Sequence, residues 1–467
     1  MPSLGRTEAT ERERTVIRFS LCAILLASPL PFGGVGPLAV LSLQLSAACV
    51  GMLALRVIHR ECHPVSREAK RMFIPVLLLG AVGIFQLLPL PHSLLAALSG
   101  PSSAARVAQA GVVPELNTAL APISVSPPDT VDALLRFAAY VMLGLAAAVS
   151  IRNRGDFKWI AWAIVASAVF QAFYGSVELV SGRQQIFFYA KRHYLDCATG
   201  TFINRNHFAG YLAMALPFAM AACFGRRRRQ QRPTSWRGRV TDLTEGPALW
   251  RVFAGLGGFM IVVGIFLSRS RGGLAAALIG AAMLFKGLAA GRRRALGLVC
   301  VFLVPATFVL WQGLAAPGTR FLTLGEETSL SSGRLAVWTN SLDLVRSHPL
   351  GTGFGTFHTA FRSHRPESIR LQYDHAHNDW LQAAVEGGAP SLVAVMVMGG
   401  LIFFTRPVRR PGARPRAFDA AILAALAAIG LQSLVDFSLR IPSLAAMVAV
   451  LVGARVSFLR EPARGRD

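Results

Sequence analysis

Charge is scarce in this chain, and acidic charge scarcest. Only 15% of its 467 residues are Asp, Glu, Lys or Arg, and 24 acidic side chains face 48 basic ones. So few charges cannot cover the surfaces of the roughly three soluble domains that the length alone would suggest. Strict apolar/polar alternation is also missing from the long apolar runs, which excludes a lipid-facing β-barrel. Cysteine is sparse, at six residues, and no pair has metal-site spacing. Four of the six lie in apolar runs and only Cys197 is expected on an oxidising side, so no intramolecular disulfide is expected there. A small-x-small cleavage site is absent after the first apolar run, around Phe19–Leu30, and that run is expected to remain as a first helix.

What the chain has in quantity is hydrophobic length. Hydrophobic residues make up 53% and mean hydropathy is +0.48. Runs of roughly 17–25 residues match a helix crossing a hydrocarbon core of about 30 Å. The expectation is an all-α polytopic membrane protein with about 12 transmembrane helices. The spans are expected near 17–32, 37–56, 72–91, 131–150, 158–180, 206–224, 250–268, 272–290, 295–315, 378–404, 417–436 and 440–459. Three segments follow: a bundle over 1–315, a long loop carrying short helices over 316–377, and three last spans with a basic tail over 378–467.

The formal net charge of +24 would suit nucleic acid if it formed one basic surface. It is divided instead among short inter-span loops, including Arg226–Arg229, so no nucleic-acid partner is expected. With a cytoplasmic N-terminus, about 33 of the 48 basic residues fall inside and about 15 outside. Both termini are then cytoplasmic and the loop at 316–377 lies on the outer side. The arginines left outside defy the bias and are the more informative ones.

Within the long loop, Ser331-Ser332-Gly333 is placed to cap a helix whose apolar face is Leu335, Trp338, Leu342 and Val345. Gly351-Thr352-Gly353-Phe354-Gly355 lacks a preceding strand and the spacing of a nucleotide fingerprint; a flexible turn at the membrane face is expected. The loop closes on Asp374-His375-Ala376-His377-Asn378-Asp379. Polar clusters at that depth are kept for chemistry or transport more than for folding. The two imidazoles allow a metal pair, a structural cap or a single base titrating near neutral pH. Asn378, Gln382 and Glu386 continue as a polar stripe at i, i+4 and i+8, suited either to helix packing or to supporting a site. Arg269 and Arg271 bracket a turn before Gly272-Gly273, where guanidinium groups and a helix N-terminus suit phosphate. Arg334, Arg205 and His207 add to the same side, and Asp436 and Arg440 are placed either to pair with each other or to serve a site.

At these residues the chain resembles the O-antigen ligase and O-antigen polymerase family. The stretches that carry the likeness are Thr201–Leu212, Ser268–Gly273, Ser332–Trp338, Pro349–Gly355, His375–Gln382 with Glu386-Gly387-Gly388, and Asp436-Phe437-Ser438. The first 190 or so residues carry little of it. The resemblance implies a glycosyltransferase of lipopolysaccharide or exopolysaccharide assembly that needs no metal or other cofactor. Its donor would be an undecaprenyl-pyrophosphate-linked glycan and its acceptor a glycan or lipid A core, with membrane lipids around it. The family register puts the general base on His377, with Gly388 in step and Ser391 where Gly, Thr or Tyr is more usual. His375 becomes a supporting residue. Arg271, Arg334, Arg269 and Arg205 become pyrophosphate ligands, and Asn378, Gln382, Glu386 and Asp436 support the site. The competing class is a transporter or flippase of an anionic lipid-linked or phosphate-bearing substrate. It predicts related halves with polar groups deep in several spans, and no convincing internal repeat is visible.

Overall fold

The computed structural model of the chain describes residues 2–61, 67–100, 120–224, 247–288, 320–365, 373–405 and 417–459. Fourteen α-helices lie among them, with strand pairing limited to two antiparallel pairs of two-residue strands. The bundle helices are α1 (Pro2–Ala27), α2 (Pro37–Glu61), α3 (Arg67–Leu87), α5 (Pro127–Ser150), α6 (Arg154–Ser181), α7 (Arg205–Phe224), α8 (Pro247–Leu267), α9 (Arg271–Leu288), α12 (Asp379–Phe404), α13 (Ala417–Gln432) and α14 (Pro442–Leu459). The short α4 (His92–Leu98), long α10 (Arg320–Ser347) and short α11 (Phe357–His364) lie between them. Among the described residues eight helices are long and apolar enough to cross a membrane. The protein is an all-α, multi-pass membrane protein.

Eleven of the twelve expected spans coincide with these bundle helices; the span expected at 295–315, like Arg226–Arg229, lies outside the described residues. Local signals account for several helix ends. Asn153 accepts from the Gly155 and Asp156 amides while Asp156 accepts from the Asn153 amide, a reciprocal cap that starts α6, and left-handed Gly182 ends it. Asn378 caps α12 by accepting from the Leu381 amide at 3.0 Å. The span expected at 417–436 stops at Gln432 because the chain turns there to enter the site.

Helices α7 and α14 are the central ones, buried over most of their length. α7 packs against α6, α8, α9 and α13, and α14 packs on α5. Buried alanines line these contacts, as in membrane bundles where small side chains let backbones approach. At one end Phe157 of α6 gathers Phe218, Phe418 and Phe458 at centroid distances of 5.5–6.0 Å. The same end carries a polar network in which Arg18 meets Asp156 at 2.8 Å, Arg60 meets Glu13 at 2.8 Å, and Arg14 binds Glu61.

A second, small core forms at the opposite end. It joins Val337 and Leu344 of α10, Phe357 and Phe361 of α11, Ala376 and Val385. This corrects one expectation: helix α10 runs through Ser331–Gly333 instead of being capped there. Its fully inward face is Val337, Ser341, Leu344 and His348. The expected apolar face divides, with Trp338 and Val345 meeting this core while Leu335 and Leu342 are exposed.

Candidate active site

Helix α12 is broken inside its apolar run. Gly388 adopts φ +66°, ψ −168°, a combination essentially restricted to glycine, and Pro390 follows. The freed backbone groups are taken up by the Pro349–Gly355 segment. Thr352 and Gly353 amides donate to the Val385 and Glu386 carbonyls, each at 3.0 Å, and the Ala389 amide donates to the Pro349 carbonyl at 3.0 Å. Gln86 of α3 completes the clasp. Its amide nitrogen donates to the Leu350 and Glu386 carbonyls at 2.9 and 2.8 Å, and its oxygen accepts from the Phe354 amide at 3.2 Å. Gly351–Gly353 are buried, so the expected flexible turn is instead a packed strap across the break.

The strap and break fix Glu386. This fully buried carboxylate meets the Arg440 guanidinium at 2.8 Å and accepts from the Gly355 amide at 3.0 Å. One turn earlier Gln382 donates to Glu386 Oε1 at 2.7 Å and to His375 Nδ1 at 3.2 Å, while its oxygen accepts from the Ala376 amide at 3.2 Å. In the stripe Asn378–Gln382–Glu386, Asn378 caps the helix, and the other two tie helix, strap and histidine loop together. Trp338 of α10 pins that loop from above, its indole N–H donating to the Ala376 carbonyl at 2.8 Å.

His377 leaves this scaffold in the left-handed region, φ +51°, a conformation that side chains other than glycine adopt at a cost and that recurs at functional sites. The turn brings its Nδ1 to 3.7 Å from Asp436 Oδ1 and its ring edge-on to Phe437 at 4.8 Å. The imidazole is 21% exposed. His375 stacks on the same phenyl ring at 4.4 Å, and His207, at the start of α7, meets it edge-on at 4.6 Å. His207 Nε2 also faces Asp436 Oδ1, at 3.8 Å. Three imidazoles therefore surround Phe437, and two of them share one buried carboxylate. Asp436 does not pair with Arg440, contrary to one of the two expectations; Arg440 has gone to Glu386.

Electrostatics separate the histidines. Burial pushes the pKa of His375 down to about 3, helped by nearby Arg440, His377 and His207, so His375 is neutral at physiological pH. Burial alone would raise Asp436, but the facing His377 and then His207 outweigh it and hold the carboxyl below its usual range. Asp436 is an anion between two rings. Arg440 is held above its ordinary value because Glu386 and Asp379 outweigh its burial.

The arginines divide. Arg205 sits over the Tyr194 ring, 5.5 Å from its centroid. Burial raises the Tyr194 phenol, while Arg205, Asp436 and Arg334 all act on it electrostatically. Arg205 thus packs on this phenol, with Asp436 and Arg334 near enough to act on it through space. Arg269 turns to Asp196, at 2.6 Å on the surface. Arg271 opens α9 beside Ser270, whose hydroxyl donates to Asn206 at 2.8 Å, and Gln432 donates to the Asn206 carbonyl at 2.6 Å. The turn before α9 is thereby docked on the start of α7. Among the described residues, no group of three or more His, Cys, Asp or Glu side chains is arranged to hold a metal ion.

Residues 256–396 match the family model described as O-antigen ligase. That segment is similar to O-antigen ligases. It spans Arg269, Arg271, Arg334, the two loop histidines, Gln382, Glu386 and the break at Gly388, and it does not include Arg205, His207 or Asp436. The similarity suggests glycosyl transfer of the O-antigen ligase type, with lipid-linked glycan and acceptor substrates in general. No curated protein sequence matches the chain. Three contributors were given no role by the sequence reading. Gln86, a lone amide in an apolar run, carried a weak signal of buried polar work. Tyr194 carried none, and Phe437 stood only within the stretch Asp436–Ser438. His207 was noticed, but its partner Asp436 lies far along the chain.

Proposed function

We propose that the chain catalyses inverting, metal-independent transfer of a glycan from undecaprenyl pyrophosphate to an acceptor hydroxyl at the periplasmic face of the bacterial inner membrane. The observation that carries this reading is His377, partly exposed, strained in backbone, and turned with Nδ1 toward a buried anionic Asp436 at 3.7 Å. With Nδ1 facing inward, Nε2 is the nitrogen available to an acceptor. Asp436 favours the tautomer with a proton on Nδ1 and stabilises the imidazolium that forms, the logic of any base oriented by a carboxylate.

The step balances simply. The acceptor oxygen forms a bond to the anomeric carbon as its proton passes to His377 Nε2. The bond from that carbon to the pyrophosphate oxygen breaks, and the electron pair leaves with the pyrophosphate. Attack from the face opposite the leaving group inverts the anomeric centre. Arg205 and Arg334, with Arg271 at the mouth of α9, are the cations assigned to the growing negative charge. Arg269, engaged by Asp196, is assigned a lesser part. His375, neutral and hydrogen-bonded to Gln382, is a positioning residue.

A general base contributes about 10²–10⁴-fold, so His377→Ala should reduce transfer at least 100-fold in a strain lacking the native gene, with the protein inserted and accumulated as before. Transfer at the parental level would remove His377 from this role. Activity should persist in excess chelator, and loss restored by added zinc would overturn metal independence. Long glycan chains left on the carrier in a deletion strain would identify a ligase; single repeat units would identify a polymerase.

A further inference from the structure

At the site end of α6 stands a small hairpin whose exposure and strain need explaining. Strand β3 (Gln185–Ile186) pairs with β4 (Tyr189–Ala190), and Phe187-Phe188 form the turn. Phe187 has φ +53°. Two-residue hairpin turns place glycine or asparagine at such a position, because a bulky side chain there is strained. Here two phenylalanines occupy the turn, and they are not tucked away. Phe188 is 103% exposed and Phe187 is 43% exposed. A turn that is strained and also shows apolar rings to water would be doubly unfavourable.

The hairpin is also mounted rigidly. The Tyr174 hydroxyl of α6 accepts from the Phe187 amide at 2.6 Å and donates to the Gln185 carbonyl at 3.4 Å. Its ring lies 5.3 Å from Phe187 and stacks on Phe170 at 5.9 Å, while Tyr189 meets Phe32 edge-on at 5.6 Å. Just beyond β4 the buried Lys191 ammonium binds Glu178 at 3.1 Å and the Cys197 carbonyl at 3.1 Å. These contacts aim the turn in a fixed direction.

That direction continues a surface already assigned to lipid. Phe173, Val177 and Val180 form an exposed apolar stripe up α6, a membrane-spanning helix, and the hairpin begins where the stripe ends. Exposed Arg183 and Arg192 flank it on either side. Aromatic rings with adjacent cations are the side chains that settle at the headgroup level of a bilayer, and the cations complement anionic headgroups.

We propose that the Phe187-Phe188 turn is an interfacial anchor that inserts into the bilayer at the site end of the bundle, with Arg183 and Arg192 at lipid phosphates. Lipid burial is what compensates the exposed rings and the strained turn. The loop runs on from the hairpin through Tyr194 to Arg205, so the anchor sets the depth of the arginine cluster relative to the headgroups. The proposal depends only on the membrane reading of the fold, not on glycosyl transfer.

The test places benzoylphenylalanine at position 188 of the full chain in vesicles of phosphatidylethanolamine and phosphatidylglycerol, with Trp159, on the lipid-facing side of α6, and Asp343, on exposed α10, as reference positions. Irradiation should yield phospholipid adducts at 188 and 159 but not at 343, read by peptide mass. Should that variant fail to insert, Phe188→Cys supplies a second measurement: a water-soluble maleimide should label it at least threefold more slowly than Asp343→Cys. An adduct at 188 only to protein, no adduct while 159 reacts, or labelling as fast as at 343 would overturn the anchor. So would an adduct to an isoprenoid pyrophosphate in place of phospholipid, which would assign the turn to a donor site.

Discussion

Asp436 holds two imidazoles on one oxygen, and that arithmetic governs what each histidine contributes. His377 Nδ1 at 3.7 Å and His207 Nε2 at 3.8 Å compete for Oδ1. Replacing His207 with leucine removes one group facing Asp436 and one of the rings packed on Phe437. The kcat for transfer is expected to fall in His207→Leu and to be better retained in His207→Gln, which keeps a donor toward the carboxylate. Equal kcat in both variants would show that His207 only fills space. His375 gives a pH signature. Its folded pKa of about 3 lies below the unfolded value of about 6.5, so between those values the unfolded chain binds more protons. Stability from this residue is complete above about pH 6.5 and declines as pH falls toward 3. Protonation would also set a ring N–H against the Gln382 amide donor. Thermal unfolding in detergent should therefore show a midpoint that falls on acidification from pH 7 to 5, with a shallower slope in His375→Gln; equal slopes would refute it. The sequence presented the pair His375 and His377 side by side, and only burial and a left-handed backbone separate a buried, neutral imidazole from a partly exposed one.

At the scale of elements, the strap across the α12 break is what the polar stripe depends on. A Cβ at Gly388 would run into the Pro349 carbonyl oxygen and the Leu350 carbonyl carbon, both backbone atoms that cannot swing aside. Gly388→Ala should lower stability by about 3 kcal/mol or more, combining a forbidden backbone region with a steric collision, and it should reduce the accumulated protein and its thermal midpoint together. An unchanged midpoint would mean that the strap is not rigid. The pair between buried Glu386 and partly exposed Arg440 gives an independent measure. Removing Arg440 strands the buried carboxylate at a cost of about 3–5 kcal/mol, and the double replacement Glu386→Gln with Arg440→Met should recover part of that loss; strict additivity would contradict a direct pair. Sequence spacing made Asn378, Gln382 and Glu386 visible as one face of a helix. It could not show that Gly351 and Gly388 close on each other, because two glycines 37 positions apart advertise flexibility, not contact. The same limit applies to α10, where two faces share the helical period and only the presence of α11 and the histidine loop sets which residues are fully buried.

Across the whole molecule, hydropathy fixed the helices well because a bilayer demands length and apolarity and little else, whereas convergence of Arg205, His207, Arg334, His377 and Asp436 is a property of packing between distant segments. The two ends of the bundle nonetheless differ in a way that composition foreshadowed. One end ties α1, α2 and α6 with arginine–carboxylate pairs such as Arg18–Asp156 and Arg60–Glu13, and Arg14 and Arg18 also donate to the Val149 and Ser150 carbonyls of α5. The other gathers the histidines, Asp436 and the turns before α7, α9 and α12. In the proposed orientation the first end, with its excess of basic residues, would face the cytoplasm and the second the periplasm, where a lipid-linked donor would be met after translocation. This orientation is tested with two exposed residues whose surface pairs contribute little to stability. In spheroplasts, a membrane-impermeant maleimide should label Asp343→Cys without permeabilisation and Arg152→Cys only after it, with peptide mass separating each from the native cysteines. The reverse pattern would place the site in the cytoplasm, where nucleotide-activated sugars compete as donors, and would make the undecaprenyl-pyrophosphate assignment the first to be abandoned.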